Sequence, residues 1–338
     1  MKKKKKIGKK KAAKKKIKLR RKPVIKAKRI MRKKRKPIKK KPAKKMKAKP
    51  VKVKAAGQKK AKQIKQKTKP AKKRKIEFTK MVASGNDFIV YDNRAGVFKD
   101  GSDLAVRLCK RTEGIGADGL IFIERSKKAD FKMRIFNPDG SEAEMCGNGI
   151  RCAAFYKGKK NSTVVTLAGI LKAELKEEAV KIKMTPPKNL QLNMNLDING
   201  KIYQVNFVNT GVPHAVYFVE DLDGVNVKLL GRLVRYYRDF QPEGTNVDFV
   251  KIEELDSLKI RTYERGVEDE TLACGTGSVA AALIYHQKFL QSEGNFVIEI
   301  HPSSGEMLKI YFDYQNNEYT NIWMEGKARI VYKGECYV

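Results

Sequence analysis

The sequence predicts an α+β fold of two pseudo-symmetric lobes, each a curved, mostly antiparallel sheet wrapped around a central helix. One reason is an internal repeat: the pattern Cys-Gly-x-Gly occurs at residues 146–149 and again at 274–277, and each copy opens an alanine-rich apolar run. The other reason is that short β-type runs alternate with turn residues on both sides of a break at Thr185-Pro186-Pro187, a pattern typical of antiparallel sheets.

The predicted strands are short runs of β-branched, aromatic and aliphatic residues. Some end at clear turn signals, such as Asn137-Pro138-Asp139-Gly140 in the first half. We expect these runs to pair into one largely antiparallel sheet in each lobe. The runs are 88–91, 120–123, 133–136, 164–167, 203–208, 215–219, 247–250, 258–263 and 296–300.

Three helices are predicted. The first spans residues 102–110, with Ser102 as its N-cap. The second runs from Gly147 to about residue 156, and the third from Gly275 to about residue 289. The last two are apolar around most of their circumference, which is typical of buried helices. We therefore expect each of them to form the centre of one lobe.

The chain divides by charge into a basic tail and a nearly neutral remainder. Residues 1–75 contain 42 Lys and Arg and no Asp or Glu, whereas residues 76–338 contain 34 basic and 36 acidic residues. The tail has no aromatic residue, so it lacks the apolar surface that would offset its chain entropy, and we predict that it is disordered. The predicted domains are this tail, a first lobe at 76–190 completed by 326–338, and a second lobe at 191–325.

Composition also bears on location. No run of 18 apolar residues occurs, and the tail lacks the apolar core of a secretory signal, so no transmembrane segment or export is expected. The tail contains no serine, unlike organellar transit peptides. Five cysteines without a Cys-x-x-Cys spacing indicate free thiols in a reducing compartment. We predict a cytoplasmic protein.

The two Cys-Gly-x-Gly motifs suggest a single active site with two thiols, Cys146 and Cys274. Each motif begins a helix, where the first backbone amides have no partner within the helix and attract an anion. The positive end of the helix dipole favours a thiolate over a thiol. We therefore expect both cysteines to have a lowered pKa and to face one substrate carbon from opposite sides.

Eight motifs in the same order give the chain a close resemblance to the diaminopimelate epimerases, from residue 80 to about residue 332. The resemblance implies interconversion of LL- and meso-diaminopimelate at one α-carbon without pyridoxal phosphate or another cofactor, and it suggests a homodimer. The motifs are Gly-Asn-Asp-Phe at 85–88, Gly-Ile-Gly-Ala-Asp-Gly at 114–119, Arg-Ile-Phe-Asn-Pro-Asp-Gly-Ser-Glu at 134–142, Met-Cys-Gly-Asn-Gly at 145–149, Gly-Val-Pro-His at 211–214, Gly-Thr-Asn-Val at 244–247, Tyr-Glu-Arg-Gly at 263–266 and Ala-Cys-Gly-Thr-Gly at 273–277.

Inversion at a carbon requires two acid/base groups on opposite faces, which suits two thiols better than a single proton shuttle. Removing an α-hydrogen beside an ionised carboxylate adds a second negative charge there. Donors must already be in place for that charge. We expect these donors to be the backbone amides of Gly147, Asn148, Gly275 and Thr276.

The resemblance also assigns side chains around the thiols. It places His214 and Glu264 near them as catalytic groups, and Glu264 also touches substrate. It places Asn86, Asn137, Asn246 and Arg265 around the amino and carboxylate groups of the substrate, where Arg265 can hold a carboxylate with two parallel hydrogen bonds. Three scattered histidines without a ligand cluster predict no catalytic metal.

Two alternatives remain open. Proline and hydroxyproline racemases use a similar cysteine pair, although they are expected to carry His where Asn148 stands. A protein of a different class, one that binds nucleic acid, is suggested by the tail, whose charge favours sequence-independent contact with DNA, RNA or anionic membrane surfaces. A single Cys-Gly-x-Gly is more often a structural turn, and Cys109, Cys152 and Cys336 are expected to be inert.

Overall fold

The computed structural model describes residues 74–338. The predicted disorder of the tail lies outside these residues, except at its last two. The first strand already begins at Lys75, and the backbone of Arg74 exchanges two 2.8 Å hydrogen bonds with Val338. The last two residues assigned to the tail therefore belong to the described fold.

Eighteen strands and four α-helices make up the described region, which also contains a 3-10 turn at Arg238–Phe240 and a π-turn at His286–Leu290. The helices are α1 (Ser102–Leu108), α2 (Gly147–Lys157), α3 (Val227–Arg235) and α4 (Gly275–Tyr285). The strands are β1 (Lys75–Ala83), β2 (Asn86–Asp92), β3 (Gly119–Glu124), β4 (Phe131–Phe136), β5 (Glu142–Ala143), β6 (Asn161–Thr166), β7 (Gly169–Lys176), β8 (Ala179–Lys183), β9 (Lys188–Ile198), β10 (Lys201–Asn209), β11 (Pro213–Phe218), β12 (Asn246–Glu254), β13 (Ser257–Glu264), β14 (Asp269–Thr271), β15 (Gly294–Pro302), β16 (Leu308–Gln315), β17 (Glu318–Lys327) and β18 (Arg329–Tyr337).

Strand pairing repeats between the two halves of the sequence. The first series runs β18-β1-β2-β3-β4-β6-β7-β8, and the second runs β9-β10-β11-β12-β13-β15-β16-β17. In each series the third strand pairs in parallel with the fourth, and the fifth with the sixth, while the other neighbours are antiparallel. The pair β8–β17 joins the two series into one sheet. The lobe boundary predicted between residues 190 and 191 falls within β9, and the division into lobes stays a prediction.

Helices α2 and α4 are buried, as their apolar composition predicts. Helix α2 contacts strands of the first series, α4 contacts strands of the second, and the two helices touch each other. Both contribute to one large apolar core. Smaller cores lie beneath α1 and α3, on the other side of the strands. The sheet of each series thus packs around its own helix and brings the two helices together.

The predicted elements agree with the structure in kind, with corrections at their ends. All nine predicted strands form, but Leu167 and Val219 lie just outside theirs. Ser102 is the first residue of α1, whose N-cap is Gly101. The Ser102 hydroxyl donates to the Asp100 carboxylate at 3.1 Å and does not cap the helix. The third predicted helix ends as α-helix at Tyr285, and a π-turn covers the residues that follow.

Helix α3 and several strands were not predicted. Most of their sequences are interrupted by polar residues on an exposed face; β9, for example, alternates exposed and partly buried side chains along most of its length. In β1, by contrast, the polar residues Thr79 and Lys80 are themselves buried. Within residues 74–338, no helix is long and apolar enough to cross a membrane.

Candidate active site

Cys146 and Cys274 occupy the same position in their helices. Each is the N-cap residue, with extended backbone angles of φ −143° and ψ 117° in Cys146, and φ −118° and ψ 114° in Cys274. The residues after them form the first helical turn, where backbone N–H groups have no carbonyl partner within the helix. The amides of Gly147, Asn148, Gly275 and Thr276 lie in these two turns. One of the next amides, that of Gly149, donates to the Cys146 sulfur at 3.4 Å.

Both helix starts pack against the same side chain, Met324 of β17. A β-carbon at Gly147 would lie 2.9 Å from the Met324 methyl carbon, and one at Gly275 would lie 2.9 Å from its sulfur. A side chain at either position would therefore displace the end of the Met324 side chain. Because one buried thioether touches both, the two Cys-Gly-x-Gly motifs, 128 residues apart in sequence, lie side by side in the fold.

The pKa of both thiols is raised, contrary to the prediction from the helix dipole. Burial is the main cause for each, and it outweighs the backbone donors at Cys146. At Cys274 the carboxylates of Glu264 and Asp248 raise the pKa further. A helix N-terminus typically stabilises an anion by about 0.3–1 kcal/mol, which corresponds to less than about one pKa unit. Burial can shift a pKa by roughly 3–5 units and is therefore the larger effect. The thiols are therefore protonated at neutral pH, and forming a thiolate requires a nearby proton acceptor.

Cys274 ends a buried chain of hydrogen-bonding groups. Its sulfur lies 3.4 Å from the Thr276 hydroxyl, and that hydroxyl lies 2.9 Å from His214 Nε2. On the other side of the imidazole, Nδ1 lies 2.7 Å from a carboxylate oxygen of Asp248. The structure thus places His214 beside Cys274, but with the Thr276 hydroxyl between them.

Asp248 was not predicted as a site residue. It is fully buried in β12, and its second oxygen accepts a 2.7 Å hydrogen bond from Thr262. The sequence did contain a signal, because a lone carboxylate within the run Val247-Asp248-Phe249-Val250 must be buried if that run is a core strand. A buried carboxylate requires polar partners.

Cys146 has a different set of polar neighbours. Asn148, two residues along α2, donates to the Asn86 side-chain oxygen at 2.6 Å. The Asn148 oxygen accepts from the guanidinium of Arg151. Arg151 also donates to Ser84 at 2.9 Å and to the Lys327 carbonyl at 3.3 Å, while its Nε has no partner among the described residues. Arg151 was not predicted, although it is the one charged side chain in the first part of an apolar helix.

Asn86 is held from its other side by an ion-pair network. Its amide donates to Asp118 at 3.1 Å. Arg111 bridges Asp118 and Asp87 at 2.6 and 2.9 Å. Asp87 also pairs with the buried Lys80 at 2.7 Å. Despite partial burial, hydrogen bonds from Arg111 and Lys80 hold the pKa of Asp87 at about 2.

Glu264 lies at the end of β13, near both thiols. Burial raises the pKa of its carboxyl, although the Thr271 hydroxyl and His214 act in the opposite direction. Its negative charge raises the pKa of Cys146 as well as that of Cys274. Glu264 is therefore close to the region between the two helix starts.

Of the remaining predicted substrate-binding residues, Asn246 and Arg265 are neighbours, whereas Asn137 lies in a separate turn. Asn246 is buried, donates to the Pro213 carbonyl at 3.0 Å and accepts from the Arg265 backbone at 2.8 Å. The Arg265 guanidinium donates to the Glu243 carbonyl at 3.2 Å. Asn137 instead binds Ser141 within its own turn at 2.9 Å, and no hydrogen bond connects it to the thiols.

Cys109, Cys152 and His286 are buried in the packed interior. Cys152 is fully buried, and burial raises its pKa far above that of an ordinary thiol. Burial also raises the pKa of Cys109 to about 11. His286 lies among aromatic rings and contacts Tyr319 at 2.9 Å. Among residues 74–338, no group of three His, Cys, Asp or Glu is arranged to hold a metal ion.

Comparison with known proteins matches this architecture to one family. The family model described as "Diaminopimelate epimerase" matches residues 78–190 and 206–331. The diaminopimelate epimerase of Aquifex aeolicus is 43% identical over 278 residues, covering 77% of this chain and 97% of the relative. That of Methanocella arvoryzae is 42% identical over 284 residues, covering 78% of this chain and 98% of the relative.

Solved structures with low sequence identity share the fold. A PhzF-family phenazine biosynthesis protein from Bacillus anthracis is 18% identical, with a TM-score of 0.62 over 78% of this chain and 100% of the other. A hydroxyproline epimerase from Agrobacterium vitis is 16% identical, with a TM-score of 0.58 over 78% of this chain and 93% of the other. These similarities confirm the predicted α+β fold class.

Proposed function

We propose that Cys146 and Cys274 are the two acid/base groups of this enzyme, which belongs to the diaminopimelate epimerase family and is an isomerase that interconverts LL- and meso-diaminopimelate. The observation that carries this proposal is the meeting of the two thiols' helix starts at Met324, with Glu264 near both sulfurs. In this proposal the substrate α-carbon binds there with one thiol on each face.

In the proposed reaction one thiolate removes the α-proton, and the opposite thiol returns a proton to the other face. The negative charge that develops on the substrate carboxylate lies at the starts of α2 and α4. The amides of Gly147, Asn148, Gly275 and Thr276 are donors already fixed in position there, and removal of one such donor typically costs about 100-fold or more in rate.

The polar side chains around the thiols have distinct proposed roles. His214 and Glu264 exchange protons with the thiols or adjust their ionisation. Asn86 and Asn246 hold the polar groups of the substrate, and Arg265 binds a carboxylate. Among the described residues the Arg265 guanidinium donates to the Glu243 carbonyl and forms no ion pair with a carboxylate, so its charge is available for an anionic substrate. Asn137 is proposed to reach the substrate from its turn.

The two halves of the fold are proposed to act as lobes, at 76–190 with 326–338 and at 191–325. Each lobe supplies one thiol and one helix start. This division follows the repeated strand pairing and places the substrate between α2 and α4.

The direct test is turnover of LL-diaminopimelate in deuterated water by the full chain and its cysteine variants. Cys146→Ala and Cys274→Ala should each lose at least about 1,000-fold in turnover, within the range expected for acid/base groups. The wild-type product should contain one α-deuterium. Cys152→Ala is the matched control, since Cys152 is a buried neighbour in the same helix as the Cys146 motif. Near wild-type turnover by either active-site variant would contradict the two-thiol mechanism.

We also propose an oligomeric state, a location and a macromolecular partner for this enzyme. The enzyme forms a homodimer, as the family resemblance suggests. It acts in the cytoplasm. Its tail binds nucleic acid without sequence preference, because 42 basic residues and no acidic ones would displace many counterions from a polyanion.

A further inference from the structure

The buried chain from Asp248 to Cys274 has two possible arrangements of its hydrogens. Asp248 faces Nδ1 of His214, so an ionised Asp248 keeps a proton on that nitrogen. With neutral His214, Nε2 accepts from the Thr276 hydroxyl, whose oxygen accepts from the thiol of Cys274. With charged His214, Nε2–H donates to Thr276, whose hydroxyl donates to a Cys274 thiolate. The same heavy atoms serve both arrangements.

The fold does not require these polar groups, because the first half does without them. In β2 and β3, Phe88 pairs with Gly119, as His214 pairs with Asn246 in β11 and β12. Ile121 lies two residues after Gly119 in β3, and Asp248 lies two residues after Asn246 in β12, so the two residues occupy equivalent positions. Each lies against the matched glycine of its helix: a β-carbon at Gly149 would be 3.4 Å from Ile121, and one at Gly277 would collide with the Asp248 carboxylate.

Burying an ionised carboxylate and an imidazole is costly unless both are paired. The second half contains such a pair where the first half has only apolar side chains. The pair lies against α4, and the last group of its chain is the sulfur of Cys274. This difference between the halves indicates a function for the pair beyond packing.

We propose that Thr276 is a proton relay from Cys274 to His214, and that Asp248 is the positioning residue that makes His214 the acceptor. This rests on the proposed function, in which Cys274 is an acid/base thiol. The proton of the Cys274 S–H bond moves to Thr276 Oγ1 as the original Thr276 hydroxyl proton moves to His214 Nε2. One S–H and one O–H bond break, one O–H and one N–H bond form, and a thiolate and an imidazolium result.

Asp248 supports this transfer by facing the charge that forms on His214. Its carboxylate is fixed by Thr262 on one oxygen and by His214 on the other. The groups that face Cys274 are thus Thr276 from its own helix, the carboxylates of Asp248 and Glu264 from β12 and β13, and His214 from β11 through Thr276. The two carboxylates oppose a thiolate, and the imidazolium stabilises it.

The test compares Thr276→Val, which keeps the shape and removes the hydroxyl, with Thr276→Ser, which keeps the hydroxyl. Turnover of LL-diaminopimelate by the full chain should fall about 100-fold in Thr276→Val, a typical acid/base contribution, and stay within about tenfold of wild type in Thr276→Ser. Ser278→Ala is the matched control, since it removes another buried hydroxyl of α4, bonded to the Cys274 carbonyl at 2.9 Å. It should stay within about threefold of wild type.

A second measurement does not depend on turnover. Iodoacetamide labelling at pH 7, followed residue by residue with mass spectrometry, should slow at Cys274 in Thr276→Val and in Asp248→Asn, while Cys146 in the same molecules serves as an internal reference. The Asp248 variant separates two explanations. Loss of a neighbouring negative charge alone would lower the pKa of Cys274 and speed its labelling, whereas loss of the relay slows it.

Equal turnover of the Val and Ser variants, or faster labelling of Cys274 in Asp248→Asn, would overturn the relay. Either result would leave the proposed function intact as long as the wild-type chain epimerises diaminopimelate. Absence of epimerisation by the wild-type chain would instead overturn the proposed function.

Discussion

The side-chain amide of Asn148 donates to the side-chain oxygen of Asn86 at 2.6 Å and so joins the start of α2 to the start of β2. Because Asn148 also accepts from Arg151, its side chain is held from two directions. Cys146 lies two residues before it. The polar side chains next to the Cys146 motif are therefore the amide of Asn148 and the buried guanidinium of Arg151. Next to Cys274 they are the imidazole of His214 and the carboxylate of Asp248.

Arg151→Met should reduce activity far more than stability. The variant leaves Asn148 and Ser84 without their shared donor, so the first turn of α2 loses its fixed geometry and turnover should fall about tenfold or more. The free energy of unfolding should change by less than about 2 kcal/mol, because lost hydrogen bonds are offset by removal of a buried charge without a close carboxylate partner. Urea unfolding and turnover measured together check this. A large loss of stability with normal turnover per folded molecule would show a purely structural role.

Glu264→Gln should be more stable than the wild type at pH 8 and nearly equal to it at pH 4. The pKa of Glu264 is raised in the folded state above its ordinary value of 4.5. The folded state then binds more protons than the unfolded chain at pH values between these two pKa values, so wild-type stability falls as pH rises through that window. Gln does not titrate and avoids this loss. Urea unfolding of both proteins at the two pH values measures the difference, and a difference independent of pH would contradict the assignment.

Free proline should be a very poor substrate, despite the similarity of this fold to that of a hydroxyproline epimerase. Asn148 carries an amide, which does not titrate, so it cannot serve as the acid or base that a histidine at this position could supply. Proline also lacks the distal groups that Arg265 and the asparagines are proposed to bind. Sites that hydrogen-bond a substrate group reject analogues lacking it by about 10⁴-fold. A polarimetric assay with LL-diaminopimelate as reference measures the ratio. Comparable kcat/KM values would favour a racemase of proline-like substrates.

The tail should bind polyanions without affecting catalysis. The full chain is expected to bind duplex DNA and RNA of any sequence, with log Kd rising with log salt by about 0.9 for each phosphate neutralised on B-DNA. Residues 74–338 alone should not bind. Turnover per site should be nearly equal in the two proteins at 0.1 M salt, where screening acts over about 10 Å. DNA binding by the shorter protein, or its loss of activity while folded, would show that the division of the chain is wrong.

The sequence by itself determined the fold class, the nine strongest strands and the central helices, and it predicted the two thiols as site residues. These features depend on local patterns: apolar runs that bury a strand on both faces, apolar helices without a polar side, and a motif repeated at two helix starts. His214 and Glu264 were predicted as site residues from the family resemblance, not from a local pattern. Strands with one exposed face, such as β9, lacked a signal of that strength.

The tertiary structure alone decided the electrostatics. The sequence predicted a lowered pKa at both thiols from the helix dipole, but packing buries the sulfurs and raises the pKa of each. It also places Asp248, Arg151 and Met324 against the predicted site residues His214, Asn148 and the glycines of the two motifs. Most of their partners are distant in sequence, and pairing across strands and between helices brings them together. A local pattern can mark Asp248 and Arg151 as charged residues within apolar runs. It cannot specify their partners, because burial and long-range contact depend on the whole chain.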